Sequence, residues 1–101
     1  MDTKEVISKA LDVINERGWT QYSFHAEDGA MCISAALVEA SYDFNINMFT
    51  NMEKYDKARI VLEELINVNA KPGHEKGMIS WNDTPGRTRD DVVRLLKEAQ
   101  E

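Results

Sequence analysis

The sequence predicts a mostly α fold: one small domain, residues 1–101, of about four helices, with room for a short two- or three-stranded β element. Three observations predict it. Apolar residues recur at three- and four-residue spacing in three windows, each a helix with one buried stripe. A fourth window, "AMCISAALVEASY", is apolar on nearly every side, as a central buried helix would be. Three short pieces, residues 22–24, 42–48 and 78–81, read as extended and are the candidates for β pairing.

The first helix carries Val6, Ile7, Ala10, Leu11, Val13 and Ile14 on its stripe. Asp2 with Glu5 three residues later is a capping-box pattern. Gly18 stops the helix, because glycine enters the left-handed region without steric cost. A Schellman ending would set Trp19 against Ile14 and make the tryptophan a lid on this helix. In the stretch that follows, Tyr22 and Phe24 alternate with polar residues, and Asp28-Gly29 signals a turn.

The central helix is expected over residues 30–42, rich in small side chains that permit close packing. Next, Tyr42, Phe44, Ile46 and Met48 alternate with Asp43, Asn45 and Asn47, the period of a strand. Thr50 with Glu53 opens a third helix by the same capping logic. Its stripe is Tyr55, Ala58, Leu62 and Leu65, widened by Val61, Ile66 and Val68. Residues 67–77 form a polar loop, and "MISW" is read as extended. The last helix is expected over residues 89–100, burying Val92, Leu95, Leu96 and Ala99.

The helix start in "SWNDTPGRTRDD" is written in full. Thr84-Pro85-Gly86-Arg87 has the type II turn pattern, with proline second and glycine third. Thr88 is the N-cap, and Asp91 completes a capping box. Asp90 and Asp91 sit where the helix dipole favours negative charge. Asn82 and Asp83 are turn formers, and Trp81 is a core anchor.

Arg87 stands where a stapling helix start would carry an apolar residue. Three readings of it follow. Arg87 pairs with Asp83 or another carboxylate and ties the loop down. It joins the helix N-terminus in an anion or nucleotide site. Or it stands partly exposed with Trp81, Asn82 and Asp83 as a protein-binding patch, since Trp and Arg are enriched among energetic anchors.

Composition narrows the function classes. Twelve Lys and Arg against 18 Asp and Glu leave a net charge of −6. That disfavours nucleic acid and anionic membranes as partners. No apolar run approaches a membrane span. The charged N-terminus has no signal-peptide pattern, and the lone cysteine, Cys32, fits a reducing cytoplasm. No metal-ligand spacing and no glycine-rich phosphate loop is present, so no cofactor is expected. Cys32, His74 and Asn82 or Asp83 occur in the order of a papain-like cysteine hydrolase. However, His74 lies in a polar loop and no nucleophile signature surrounds Cys32.

Three stretches, "ERGWTQ", "CISAAL" and "WNDTPGRTRDDVVRLLKEA", resemble the ordered motifs of an uncharacterised family. It comprises small proteins of actinobacteria and their phages, classed as a domain of unknown function. Ser34-Ala35-Ala36 departs from the glycine-alanine pair more usual there, and Asp91 stands where glutamate is common. The resemblance implies an intracellular setting and a phage or mobile-element origin, and no catalytic residue comes with it. The expectation is a non-catalytic cytoplasmic protein that binds a host protein or a second copy of itself, for example to inhibit a host defence factor.

Overall fold

A computed structural model describes residues 2–101. Five helices lie among them: α1 (Thr3–Arg17), α2 (Ile33–Ser41), α3 (Met48–Asn67), α4 (Met78–Asn82) and α5 (Arg89–Glu98). The fold is mostly helical, as expected, with the short α4 added to the four anticipated helices. α3 packs against each of the other four, and α2 lies between α1, α3 and α4. One main core joins Val6, Ile7, Ala10 and Ile14 of α1 to Ile33, Ala36, Leu37 and Ala40 of α2. It continues through Ala58 and Leu62 of α3, Met78 of α4, and Val92, Leu95 and Leu96 of α5. The radius of gyration is 13.1 Å, the size of a packed chain of this length.

Asp2 caps α1 by accepting the Glu5 backbone N–H at 2.9 Å. The ending of α1 differs from the Schellman expectation. Gly18 has φ 90° and ψ 175°, so the chain leaves extended and does not curl back. Its N–H still closes on the Ile14 carbonyl at 2.9 Å, but its own carbonyl accepts from Met31 at 3.1 Å. Trp19 pairs with Met31 in a parallel bridge and His25 pairs with Met31 in an antiparallel one. These isolated bridges are the β structure among the described residues; no sheet forms. The Asp28-Gly29 turn does form, with the Asp28 carboxylate accepting the Ala30 N–H at 3.0 Å.

The same bridges explain why α2 starts at Ile33 and not at residue 30. Ala30 and Met31 spend their backbone groups on the incoming loop. Cys32 becomes the N-cap, its sulfur accepting the Ala35 N–H at 3.4 Å.

Residues 42–47 are a turn and Met48 opens α3, so no strand forms here. Their polar residues bond the local backbone and so compete with any ladder. The Asp43 carboxylate accepts the Asn45 N–H at 2.8 Å. Asn51 grips Asp43 from α3, accepting its N–H and donating to its carbonyl, both at 3.2 Å. The N-cap of α3 is Asn47, which accepts the Thr50 N–H at 2.9 Å. The helix therefore begins before the Thr50–Glu53 pair expected to open it.

Residues 78–81 are helical, not extended, and the cause lies far away in sequence. Glu63 of α3 accepts the Met78 N–H at 2.8 Å and so caps α4 from 15 residues upstream. Its other oxygen meets Arg59 at 2.6 Å. Asn67 closes the intervening loop by exchanging two backbone bonds with Lys76, both at 2.8 Å.

The type II turn and the start of α5 match expectation. Arg87 N–H bonds the Thr84 carbonyl at 3.0 Å, Gly86 has φ 85°, and Thr88 with Asp91 forms a reciprocal capping box. Among the described residues no helix is long and apolar enough to cross a membrane.

Candidate functional site

Of the four residues singled out as a binding patch, Asn82 is the most committed internally. It is 1% exposed. Its side-chain oxygen accepts from the Trp19 indole at 2.7 Å and from the Ile33 backbone N–H at 3.0 Å. Its amide nitrogen donates to the Thr20 carbonyl at 3.2 Å and to Asp83 at 3.0 Å. Gln21 donates to the carbonyls of Asn82 and Thr84 at 3.0 and 2.8 Å, and the Tyr22 N–H reaches Asp83 at 2.8 Å. The three motif stretches therefore meet at one amide. "GWTQ" wraps it, "CISAAL" supplies the first free N–H of α2, and "WND" provides it. Buried polar groups need this complete satisfaction.

Arg87 binds Trp81 and not a carboxylate. Its guanidinium carbon lies 4.1 Å from the indole centroid, a cation–π contact. Its Nε donates to the Trp81 carbonyl at 2.9 Å. The expected pairing with Asp83 is absent, because that carboxylate already serves Tyr22 and Asn82. Trp81 itself is half-buried against the core. A shallow cavity of about 200 Å³ beside this pair sets Arg87 and Arg94 against Asp91 and Glu98, a balance of charge and not an anion cradle. The Asp91 carboxyl is held below the usual carboxylate range, first by the Thr88 backbone N–H. The Thr88 hydroxyl and the charges of Arg87 and Arg94 add to this.

Cys32, Asn82 and Asp83 do come together, around a cavity of about 160 Å³ shared with Tyr22, Ser23, Phe24 and Ile79. His74 is not in its lining; it is exposed in the loop after α3. Among the described residues no group of three or more His, Cys, Asp or Glu is arranged to hold a metal ion.

A further feature is apolar and exposed. Val38 and Tyr42 on one side, and Met48 and Met52 on the other, line a cavity of about 210 Å³ between the end of α2 and the start of α3. Met48 is 63% exposed and Met52 55%. Phe44 and Phe49, at 87% and 80%, stand on the same connecting turn and helix start. Tyr42 and Phe44 pack edge to face with centroids 4.9 Å apart. On α3, Met48, Met52 and Tyr55 fall on the row that continues into Ala58 and Leu62. Those last two are fully buried. The edge of this stripe at Met48 and Met52 is thus left open, while Asn51 between them stays buried under the turn at Asp43.

The floor of this seam has no polar group to spare. Tyr55 and Ser34 share a hydroxyl bond of 2.8 Å. Ser41 donates to the Leu37 carbonyl at 2.7 Å, and Asn51 is engaged with Asp43. Asp56 is the acidic residue in the lining.

The family model described as "Family of unknown function (DUF6197)" matches residues 1–101. The chain belongs to this family. No curated protein and no solved structure matches it. The DUF6197 match spans the whole chain, and its description assigns no activity.

The seam escapes sequence reasoning because Tyr42, Phe44, Ile46 and Met48 alternate with polar residues at the period of a strand. The signal was there in α3. Met48 and Met52 extend its stripe beyond the length that the nine-residue α2 can cover.

Proposed function

We propose that this DUF6197 chain is a non-catalytic binding protein that docks a protein partner on the open seam between α2 and α3. The observation that carries the reading is the overrun of the α3 stripe: Met48 and Met52 continue the row of Ala58 and Leu62 into solvent. Contiguous exposed apolar surface of this kind marks interaction sites. Methionine-rich surface adapts to the shape of a partner. A small polar ligand would find few free hydrogen-bonding groups there, since Tyr55, Ser41 and Asn51 are already paired. The cavity of about 210 Å³ is also smaller than the roughly 300–1,000 Å³ of sites that enclose small molecules.

An actinobacterial or phage setting, with a host defence factor as target, is the biological form we propose for this activity. The motif resemblance supports it, and no side chain does.

The test is affinity capture from a host lysate with three baits: the native chain, Met52→Glu, and Trp81→Ala with Arg87→Ala. The expected result is a partner retained by the native and Trp81/Arg87 baits and lost from the Met52 bait. Hydrogen exchange on the purified complex should then protect residues 38–56. Equal retention by all three baits, or a copurifying metabolite in place of a protein, would overturn the reading.

A further inference from the structure

We infer that the occupant of the seam is an amphipathic α-helix whose apolar stripe is flanked by Lys or Arg. The inference rests on the docking reading above and names the partner chemistry. The shape argument comes first. The seam is a groove between two helices, with Val38 on α2 and Tyr42 just after its end facing Met48 and Met52 on α3. Such a groove is completed by a third helix that lays side chains at i, i+3, i+4 and i+7 between its ridges.

Charge decides the flanks. Between Val38 and Asp56 the chain carries Glu39, Asp43, Glu53 and Asp56 against Lys54 alone. Glu53 and Lys54 turn to the other side of α3, where they line a cavity with Asp2 and Thr3 of the α1 start. That leaves Asp56 in the groove lining and Asp43 on the turn next to Tyr42. Arg59 serves two carboxylates at once, Asp56 through Nε at 3.4 Å and Glu63 through Nη1 at 2.6 Å, so one cation stands between two acids. Glu39, on the far side of α2, meets Arg17 at 3.4 Å. The apolar floor therefore has an acidic rim, and a basic helix complements both. A second copy fits less well. A two-fold pairing brings each patch onto itself, setting Asp43 and Asp56 of one chain near those of the other, with −6 on each molecule.

Methionine supplies the readout. Met48 and Met52 lie in the groove, whereas Met31 and Met78 are buried elsewhere. A chain carrying ¹³C-methyl methionine is titrated with two helical peptides of about 18 residues. They share one leucine stripe and carry either lysine or glutamate on its flanks. The lysine peptide should move the Met48 and Met52 methyl signals and leave Met31 and Met78 in place. It should bind at least about tenfold more tightly than the glutamate peptide, and added salt should narrow that gap. Asp56→Asn should also narrow it. Equal binding of both peptides at Met48 and Met52 would overturn the basic partner while leaving the docking reading intact. Movement of these methyls with chain concentration alone would identify a second copy as the occupant and overturn the inference. No response at Met48 and Met52 to either peptide would overturn the helix. The docking reading itself fails on a different result, retention of the same partners by the Met52→Glu bait.

Discussion

The Trp19 indole N–H donates to the Asn82 side-chain oxygen at 2.7 Å, joining two residues 63 positions apart in the chain. That oxygen also accepts the Ile33 backbone N–H, and the amide nitrogen satisfies the Thr20 carbonyl. One buried amide thus holds the loop after α1, the start of α2 and the end of α4.

Asn82→Ala strands the Trp19 indole, the Ile33 N–H and the Thr20 carbonyl together. Each orphaned buried polar group costs about 1–3 kcal/mol, partly relieved where water enters. The expected loss of stability is about 2–4 kcal/mol, a large share of the roughly 5–15 kcal/mol that holds a domain. Urea denaturation checks it, and a loss under about 1 kcal/mol would show that the amide is not the hub described.

Gly18→Ala is expected to cost about 1–3 kcal/mol, because backbone of this kind is essentially reserved for glycine. The added Cβ would meet Ala30 Cβ at an ordinary 3.5 Å, so crowding is not the cause. Shortening Ala30 to glycine should therefore fail to rescue the variant in a thermal melt.

Arg87→Ala removes both the stacking on Trp81 and the Nε bond to its carbonyl. A loss of about 1–2 kcal/mol is expected. Arg87→Lys keeps a cation near the ring but has no planar fork, so it should recover only part of it. A double-mutant cycle with Trp81→Leu separates the ring contact from the backbone bond.

Asp91 gives the start of α5 a pH dependence with a defined sign. Its folded pKa lies below the ordinary value, chiefly through the Thr88 backbone N–H. The stability it contributes is present above the unfolded carboxylate pKa of about 3.9 and is lost as pH falls through the folded value. Asp91→Asn can still accept the Thr88 N–H but carries no charge. The gap between native chain and variant in urea midpoint should be level from about pH 7 to 5 and close below about pH 4. A gap that widens on acidification would contradict the assignment.

Elements whose determinants are local were legible in the sequence. The turn Thr84-Pro85-Gly86-Arg87, the Thr88 cap and the stripe of Val92, Leu95 and Leu96 all lie within a few residues of one another. α4 was not legible, because "MISW" acquires its helix from Glu63 on another element. Residues 42–48 misled because their alternation is real but has no partner strand, and Asn51 holds them as a turn. The site block was read as Trp81, Asn82, Asp83 and Arg87. The turn and cap chemistry within it was plain, but the bond from Asn82 to Trp19 spans a distance no local pattern reports. The seam was missed for the complementary reason: a stripe shows which residues are apolar, and only packing shows where its cover ends.

That boundary of cover is itself testable along α3. Leu62 and Met52 lie on one stripe, yet Leu62 is fully buried and Met52 is more than half exposed. Leu62→Ala should cost about 2–5 kcal/mol, through lost burial and the cavity left behind. Met52→Gln keeps helix propensity and length, and its stability should stay within about 1 kcal/mol of the native chain. The same change should abolish capture of a partner and reduce binding of a fluorescent apolar dye. If Met52→Gln instead destabilises the fold as much as Leu62→Ala, the seam belongs to the core, and its methionines serve packing and not a partner.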